Sequence, residues 1–283
     1  MNLREVRKKT KSIKNVKKIT KAMQLVSAVK MKKAQQAALE GAAYREGLEQ
    51  SIRKIAPSTD PSLSPLLASP AQNSNKELVI YISSNKGLCG AFNLNLYRYI
   101  LKNIKMDSAD FITVGKKGAV FVSNMRGTLI ADYSSAMAVS ETSAIFALAV
   151  GKFLAGEYRS VTVLYNKFIS TLRSELLKEV LLPMKLPVDE GATASAGVYK
   201  IEPSPEEIID ALLRSYLEEK IRGALLSSEA VEHSSRMMAM KNATDNANDI
   251  IDSLTLLGNR LRQSKITMEL LDMITAKESV EGS

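Results

Sequence analysis

Apolar residues recur near the start of the chain at Leu3, Val6, Ile13, Val16, Ile19, Met23 and Val26. Steps of three, four and seven put those side chains on one side of a helix. No Pro interrupts residues 1–56, and Ala, Lys, Gln and Glu dominate, with Gly41 and Gly47 as the weak points. The spacing predicts one continuous helix of about 84 Å at ~1.5 Å per residue. A second run opens at Pro205-Glu-Glu207, with Pro in the first turn and acids at the positive end of the helix dipole. Apolar positions follow at Ile209, Leu212, Leu213, Tyr216, Leu217, Ile221 and Leu225, then at Met237, Met240, Ala243, Ala247, Ile250, Leu254, Leu257 and Leu261. Unbroken to Lys277, this helix would reach about 110 Å, with Gly223 and Gly258 as places to bend.

Between these runs the period changes. Leu78 to Ile82 is a short apolar stretch suited to a strand buried on both faces. Leu94 to Ile104 has helical spacing, Phe111 to Val114 reads as a strand, Lys116 to Asn124 as a short helix and Thr128 to Ala131 as another strand. Ser140 is the expected N-cap of a helix from Glu141 to Leu154. Val161 to Tyr165 is a clear strand and Val180 to Leu182 a weaker one. Strands alternating with helices predict an α/β unit with a mainly parallel sheet. Pro57, Pro61, Pro65 and Pro70 punctuate a linker or surface loop before it, and a Gly- and Pro-spotted stretch from Pro183 to Pro205 closes it.

The fold class follows as α plus α/β: a long antiparallel coiled coil of the N- and C-terminal helices, with a Rossmann-like α/β domain between them. The expected spans are 1–56 for the first coiled-coil helix, 57–75 for the linker, 76–204 for the α/β domain and 205–283 for the closing helix. Ser227, Ser228, Ala230, Ser234, Ser235, Ala239, Ala243 and Ala247 are small enough for close backbone approach. Lys9 and Lys30 fall where a strict heptad wants apolar residues, so a loosely wound, irregular pair is expected.

Charge sharpens this picture. Residues 1–33 hold twelve Lys or Arg and one acid, Glu5, giving +11 against +9 for the whole chain. Residues 205–283 carry nine bases and fourteen acids, so the two helices have opposite sign. The one cysteine cannot form an intramolecular disulfide, and no apolar stretch approaches the ~20 residues of a bilayer span. A basic N-terminus with little Ser or Arg is unlike a transit peptide, and a bacterial cytoplasmic setting is expected. The surplus charge suits nucleic acid, through phosphate neutralisation, or acidic protein loops; spacing does not separate these two. A membrane-surface helix would need bulkier apolar residues than Val, Ile, Met and Ala.

Candidate chemistry is sparse. Gly87-Leu-Cys-Gly90 lies between a strand and a helix, where phosphate loops occur, but lacks the Gly-Lys-Ser/Thr ending and the triple-Gly spacing. Cys89 has Lys86 nearby, which favours a thiolate, although a small buried hydrophobe is the simpler role. His233 is the only His and has no second ligand beside it. Glu218-Glu219 and Glu206-Glu207 are adjacent in sequence and read as solvated faces. No catalytic, cofactor or metal site is expected.

Four segments together resemble the gamma subunit of F-type ATP synthase: Ile19-Thr-Lys-Ala-Met23 within Ser12 to Ala34, Gly87-Leu-Cys-Gly-Ala-Phe-Asn93, Ala239-Met-Lys-Asn-Ala-Thr-Asp-Asn-Ala247, and Arg262-Gln-Ser-Lys-Ile-Thr-Met-Glu269 through Asp272. They lie in family order and span the chain. Two departures stand out: Ala276-Lys277 replaces the family's usual Gly-Ala, and the Cys-bearing segment of redox-regulated chloroplast members is absent. The resemblance implies a central rotor shaft without ATP chemistry of its own. Its coiled coil would turn inside a hexamer of alpha and beta subunits, and its α/β domain would sit against the epsilon subunit and the c-ring. No nucleic acid is expected as partner, contact with the membrane comes only through the complex, and the place is the cytoplasmic face of a bacterial cell membrane. Met23 matches the position facing the acidic coupling loop of beta. Arg262, Gln263, Thr267, Glu269 and Asp272 match positions near the beta catch region and upper bearing. Tyr199 and Glu202 match c-ring positions. An offset of the helices would leave Leu270, Leu271, Met273 and Ile274 unpaired, to turn in an apolar sleeve.

Overall fold

The computed structural model describes residues 2–55, 64–67, 75–134, 138–184 and 204–281. They fall into two compact units: Met1–Ser27 with Met237–Ser283, and Ala28–Arg236. Helix α1, Leu3–Ile55, and helix α5, Pro205–Glu281, each run through both.

The larger unit is built on five strands: β1 Glu77–Ile82, β2 Ala109–Val114, β3 Thr128–Tyr133, β4 Ser160–Ser170 and β5 Arg173–Leu182. Their order is β3-β2-β1-β4-β5. The first four are parallel, and β5 returns antiparallel to β4. Leu78 to Ile82 are all buried, as expected for a central strand covered on both faces. On one face Val79, Tyr81, Phe111 and Leu164 meet α2, Phe92–Asn103, through Phe92, Leu96 and Ile100. Helix α3, Lys116–Asn124, adds Val122 to that layer, and α5 adds Val231. On the other face Ile80, Ile112 and Val163 meet α4, Thr142–Leu154, through Ile145, Ala149 and Phe153. Leu48 and Ile52 of α1 complete that core with Ile209, Leu213, Leu217 and Ile221 of α5.

Several local expectations change. Ala138–Glu141 form a 3₁₀ turn, and Glu141, not Ser140, occupies the N-cap of α4. The β4–β5 hairpin is much longer than its apolar runs suggest. Pairing continues out to Ser170–Arg173 through a mixed run in which Lys167, Ser170, Ser174 and Glu175 are exposed and polar, so hydropathy does not mark it. Within the stretch read as a linker, Ser64 and Leu66 are fully buried, and the Leu66 carbonyl accepts from the Met184 amide. Glu218 and Glu219 are not a solvated face: both are half-buried and ion-paired with Arg222, and Ser143 donates to Glu218. A Cβ at Gly223 would collide with the Arg45 guanidinium, so the missing side chain makes room for Arg45.

The smaller unit is an antiparallel helix pair. Asn2 caps α1 in a reciprocal box with Glu5: the Glu5 amide donates to Asn2 Oδ1 and the Asn2 amide to Glu5 Oε2. Thr20 meets Thr244 at 2.8 Å, and Val6 lies against Gly258. Thr20 and Val6 are fourteen residues apart on α1, and Thr244 and Gly258 fourteen apart the other way on α5, so both contacts share one register. In that register Ile13 stands opposite Ile251, and Thr10 opposite Leu254. Lines of buried or half-buried positions run through Leu3, Val6, Thr10, Ile13, Lys17, Thr20, Gln24 and Ser27 on α1 and through Met240, Thr244, Ala247, Ile251, Leu254, Gly258 and Leu261 on α5, with Met23, Ala243, Asn248 and Leu257 half-buried beside them. Both alternate steps of four and three, a heptad in geometry if not in hydropathy.

This corrects the expected seam. Val16, Ile19 and Val26 are 44%, 60% and 56% exposed. The inward positions beside them belong to Lys17, Thr20 and Ser27. Lys9 and Lys30, read as seam defects, are simply exposed. Gly258 again marks close approach: a Cβ there would sit 3.5 Å from Val6.

Candidate partner-binding surfaces

On α1 of the smaller unit, Val16, Ile19, Leu25 and Val26 are exposed among Lys14, Lys18 and Lys21, which are exposed too. Met23 is half-buried at the margin of this patch. The charges of the two helices do not meet as expected. Among the described residues no ion pair links the cations between Arg4 and Lys21 to Asp245, Asp249 or Asp252. A face both apolar and cationic is left with no partner from this unit.

The end of α5 forms a second surface. In the observed register Leu3 pairs with Leu261, so the 19 residues from Gln263 to Glu281 extend past the start of α1, about 28 Å at ~1.5 Å per residue. Gln263, Thr267, Glu269 and Asp272 are exposed there, with Ile266, Met268, Leu270, Leu271, Met273 and Ile274. Thr267 donates to the Gln263 carbonyl, and Lys265 pairs with Glu269 at 3.4 Å. Arg262, at the base of this overhang, lines a groove of about 420 Å³ with Leu3, Val6, Arg7, Leu254 and Gly258. Met23 is far from this group: its register partner, Lys241, lies 21 residues before Arg262, about 31 Å along the helix. Tyr199 and Glu202 lie outside the described residues.

The Gly87–Gly90 loop of the larger unit does not offer a phosphate cradle. In a nucleotide fold the first amides of the helix after a strand face the anion. Here that helix is α2, and its Phe92 amide donates to the Cys89 carbonyl. The loop turns carbonyls, not amides, inward, and they accept from Arg236: Lys86 O from Nη2 at 3.1 Å, and Gly87 O from Nε and Nη2 at 3.3 Å. Asn93 braces the loop, donating to Ser84 Oγ and Cys89 Sγ and accepting from the Ser84 amide. Burial pushes the Cys89 thiol up, against the smaller opposing effects of the Ser84 hydrogen bond and the Arg236 charge. His233 is nearly buried, with Nδ1 3.2 Å from Arg236 Nη1 and Nε2 3.7 Å from Glu229. Arginine only donates, so Nδ1 accepts and the proton sits on Nε2. Among the described residues no group of three His, Cys, Asp or Glu could hold a metal ion.

Arg236 was missed in the sequence. Its signal was a long cation directly beside Ser234 and Ser235, two residues small enough for close backbone approach.

The family model described as ATP synthase matches residues 2–280. A protein named ATP synthase gamma chain from Clostridium perfringens is 37% identical over 282 residues, covering 98% of each chain. Its namesake from Pelotomaculum thermopropionicum is 36% identical over 285 residues, covering 99% of each. The chain belongs to the ATP synthase gamma chain family. Its fold is also that of a chain in the Euglena gracilis mitochondrial ATP synthase OSCP/F1/c-ring structure, with TM-score 0.68 and 18% identity, covering 99% of this chain and 96% of that one. A chain from the Tetrahymena thermophila central stalk and c-ring structure matches with TM-score 0.57 and 22% identity over 80% of this chain. With the family shown, the surplus positive charge is to be read against protein partners, and the nucleic-acid reading has no finding behind it. Among the described residues no helix is long and apolar enough to cross a membrane.

Proposed function

We propose that this chain is the central rotor shaft of an F-type ATP synthase, on the cytoplasmic face of a bacterial membrane, and that it has no catalytic step of its own. The observation that carries this reading is the pair of unpartnered surfaces on the smaller unit, in a chain matched to its family from end to end. A helix face both apolar and cationic needs an acidic partner with apolar contacts; the acidic loops of the beta subunits fit that description. An apolar overhang without a second helix needs an enclosing sleeve, which the top of the alpha/beta hexamer supplies. Ion flow turns the c-ring and the shaft with it, and the unequal faces of the shaft drive each catalytic subunit through its states in turn. Run in reverse, hydrolysis of ATP turns the shaft and pumps ions.

In this reading Met23 faces the coupling loop of beta. Arg262, Gln263, Thr267, Glu269 and Asp272 engage the catch region and upper bearing, and Tyr199 and Glu202 reach the c-ring. The test is co-purification with a hexameric ATPase, followed by removal of this chain and reconstitution. Loss and recovery of ATP-driven ion pumping is the expected outcome. Recovery of the chain bound to DNA or RNA instead, with a steep salt dependence, would overturn the reading.

A further inference from the structure

Helix α5 leaves the larger unit at Arg236 and continues unbroken into the smaller one. Its last turns before that point are gripped from two sides. The β4–β5 hairpin holds one side: the Phe168 amide donates to Ser227 Oγ at 2.8 Å, and Ser234 Oγ donates to the Thr171 carbonyl at 2.6 Å. The Gly87–Gly90 loop holds the other through Arg236, which is only 7% exposed and also reaches Glu232 at 2.7 Å. Leu88 and Gly90 both adopt positive φ, 62° and 57°, and this shape turns the Lys86 and Gly87 carbonyls toward the guanidinium. Gly90 itself packs beside the Ser235 carbonyl.

Apolar contacts resist separation of two surfaces but are indifferent to small rotations of one over the other. Hydrogen bonds weaken steeply as their angles open, and a planar guanidinium bound at several of its donors is fixed in orientation as well as in place. The structure assigns to residues 227–236 a torsional clamp, in which Arg236, with Ser227 and Ser234, locks α5 against rotation on the α/β sheet. Twist carried by the helix then passes into the domain. The inference rests on the rotor reading, which supplies the twist. Arg236 is a positioning residue and touches no reacting group.

The test uses the complete synthase rebuilt with this chain, its hexamer fixed to a surface and a bead attached to the α/β domain. With the motor paused, the angular variance of the bead reports torsional stiffness. Arg236→Ala should widen that variance by at least about twofold, with Ser234→Ala smaller and Arg236→Lys intermediate, while the complex stays assembled and ATP hydrolysis is unchanged. If Arg236→Ala does not assemble, Arg236→Lys and Ser234→Ala decide the question. Unchanged variance in variants that assemble would overturn the clamp. A bead that never turns during ATP hydrolysis by the unaltered complex would instead overturn the rotor reading, and the clamp with it.

Discussion

Thr20 and Thr244 place a buried hydrogen bond in the seam. Each hydroxyl also lies within reach of a carbonyl of its own helix, Thr20 of Lys17 and Thr244 of Met240, so one donates across the seam and the other back along its helix. Replacing one hydroxyl strands its partner, whereas replacing both removes the need for either. Thr20→Val and Thr244→Val should each cost about 1 kcal/mol, and the double variant less than their sum; urea titrations in a double-mutant cycle measure the difference. Gly115 is constrained more severely. Its φ is 101°, and a Cβ would meet the Ser83 carbonyl. Gly115→Ala should therefore destabilise the chain by about 2 kcal/mol or more, read as a lowered urea midpoint. Met23 tests the proposed coupling. A lysine there can extend from the half-buried site to water, so stability should change by less than about 1 kcal/mol. Ions pumped per ATP in membrane vesicles should nevertheless fall more than hydrolysis slows, and unchanged pumping per ATP would refute the role.

Whole elements divided into those whose burial and hydropathy agree and those where they do not. The strands β1 and β2 were legible because their apolar residues are all buried, and the helix Lys116–Asn124 because most of its apolar residues turn inward, Val120 alone being exposed. The seam of α1 was not. Hydropathy placed Val16, Ile19 and Val26 inside and Thr20 and Ser27 outside, and the structure reverses both. The reason is physical: closely approaching helices accept small hydroxyls that bond back to their own carbonyls, and in the rotor reading the apolar row is kept for partner subunits. The candidate surfaces were named only by the family resemblance, since exposed residues leave no periodic trace in the sequence. The overhang gives a separate test. No α1 residue stands opposite Gln263–Glu281, so ending the chain after Arg262 should shift the melting midpoint by no more than about 2 °C, while assembly with the hexamer weakens.

For the molecule as a whole, alkaline pH is the revealing stress. Burial, the largest cause in each case, pushes the hydroxyls of Tyr81, Tyr158 and Tyr165 well above their ordinary value near 10. The folded state keeps protons that the unfolded chain would release, so this stability is intact below pH 10 and is lost as pH rises beyond it. Urea midpoints should hold between pH 8 and 9 and fall by pH 11, with a shallower fall in Tyr158→Phe. The distance in sequence between the paired helices has a consequence of another kind. Thr20 and Thr244 are 224 residues apart, so at ~5–20 residues per second the first helix leaves the ribosome about 10–45 s before its partner exists. Through that interval its heptad face and its Val–Ile row are both open to water. Eleven net positive charges within 33 residues make nascent copies repel one another while they wait. The lysines that the rotor reading turns toward the hexamer would thus act first as a dispersant during synthesis.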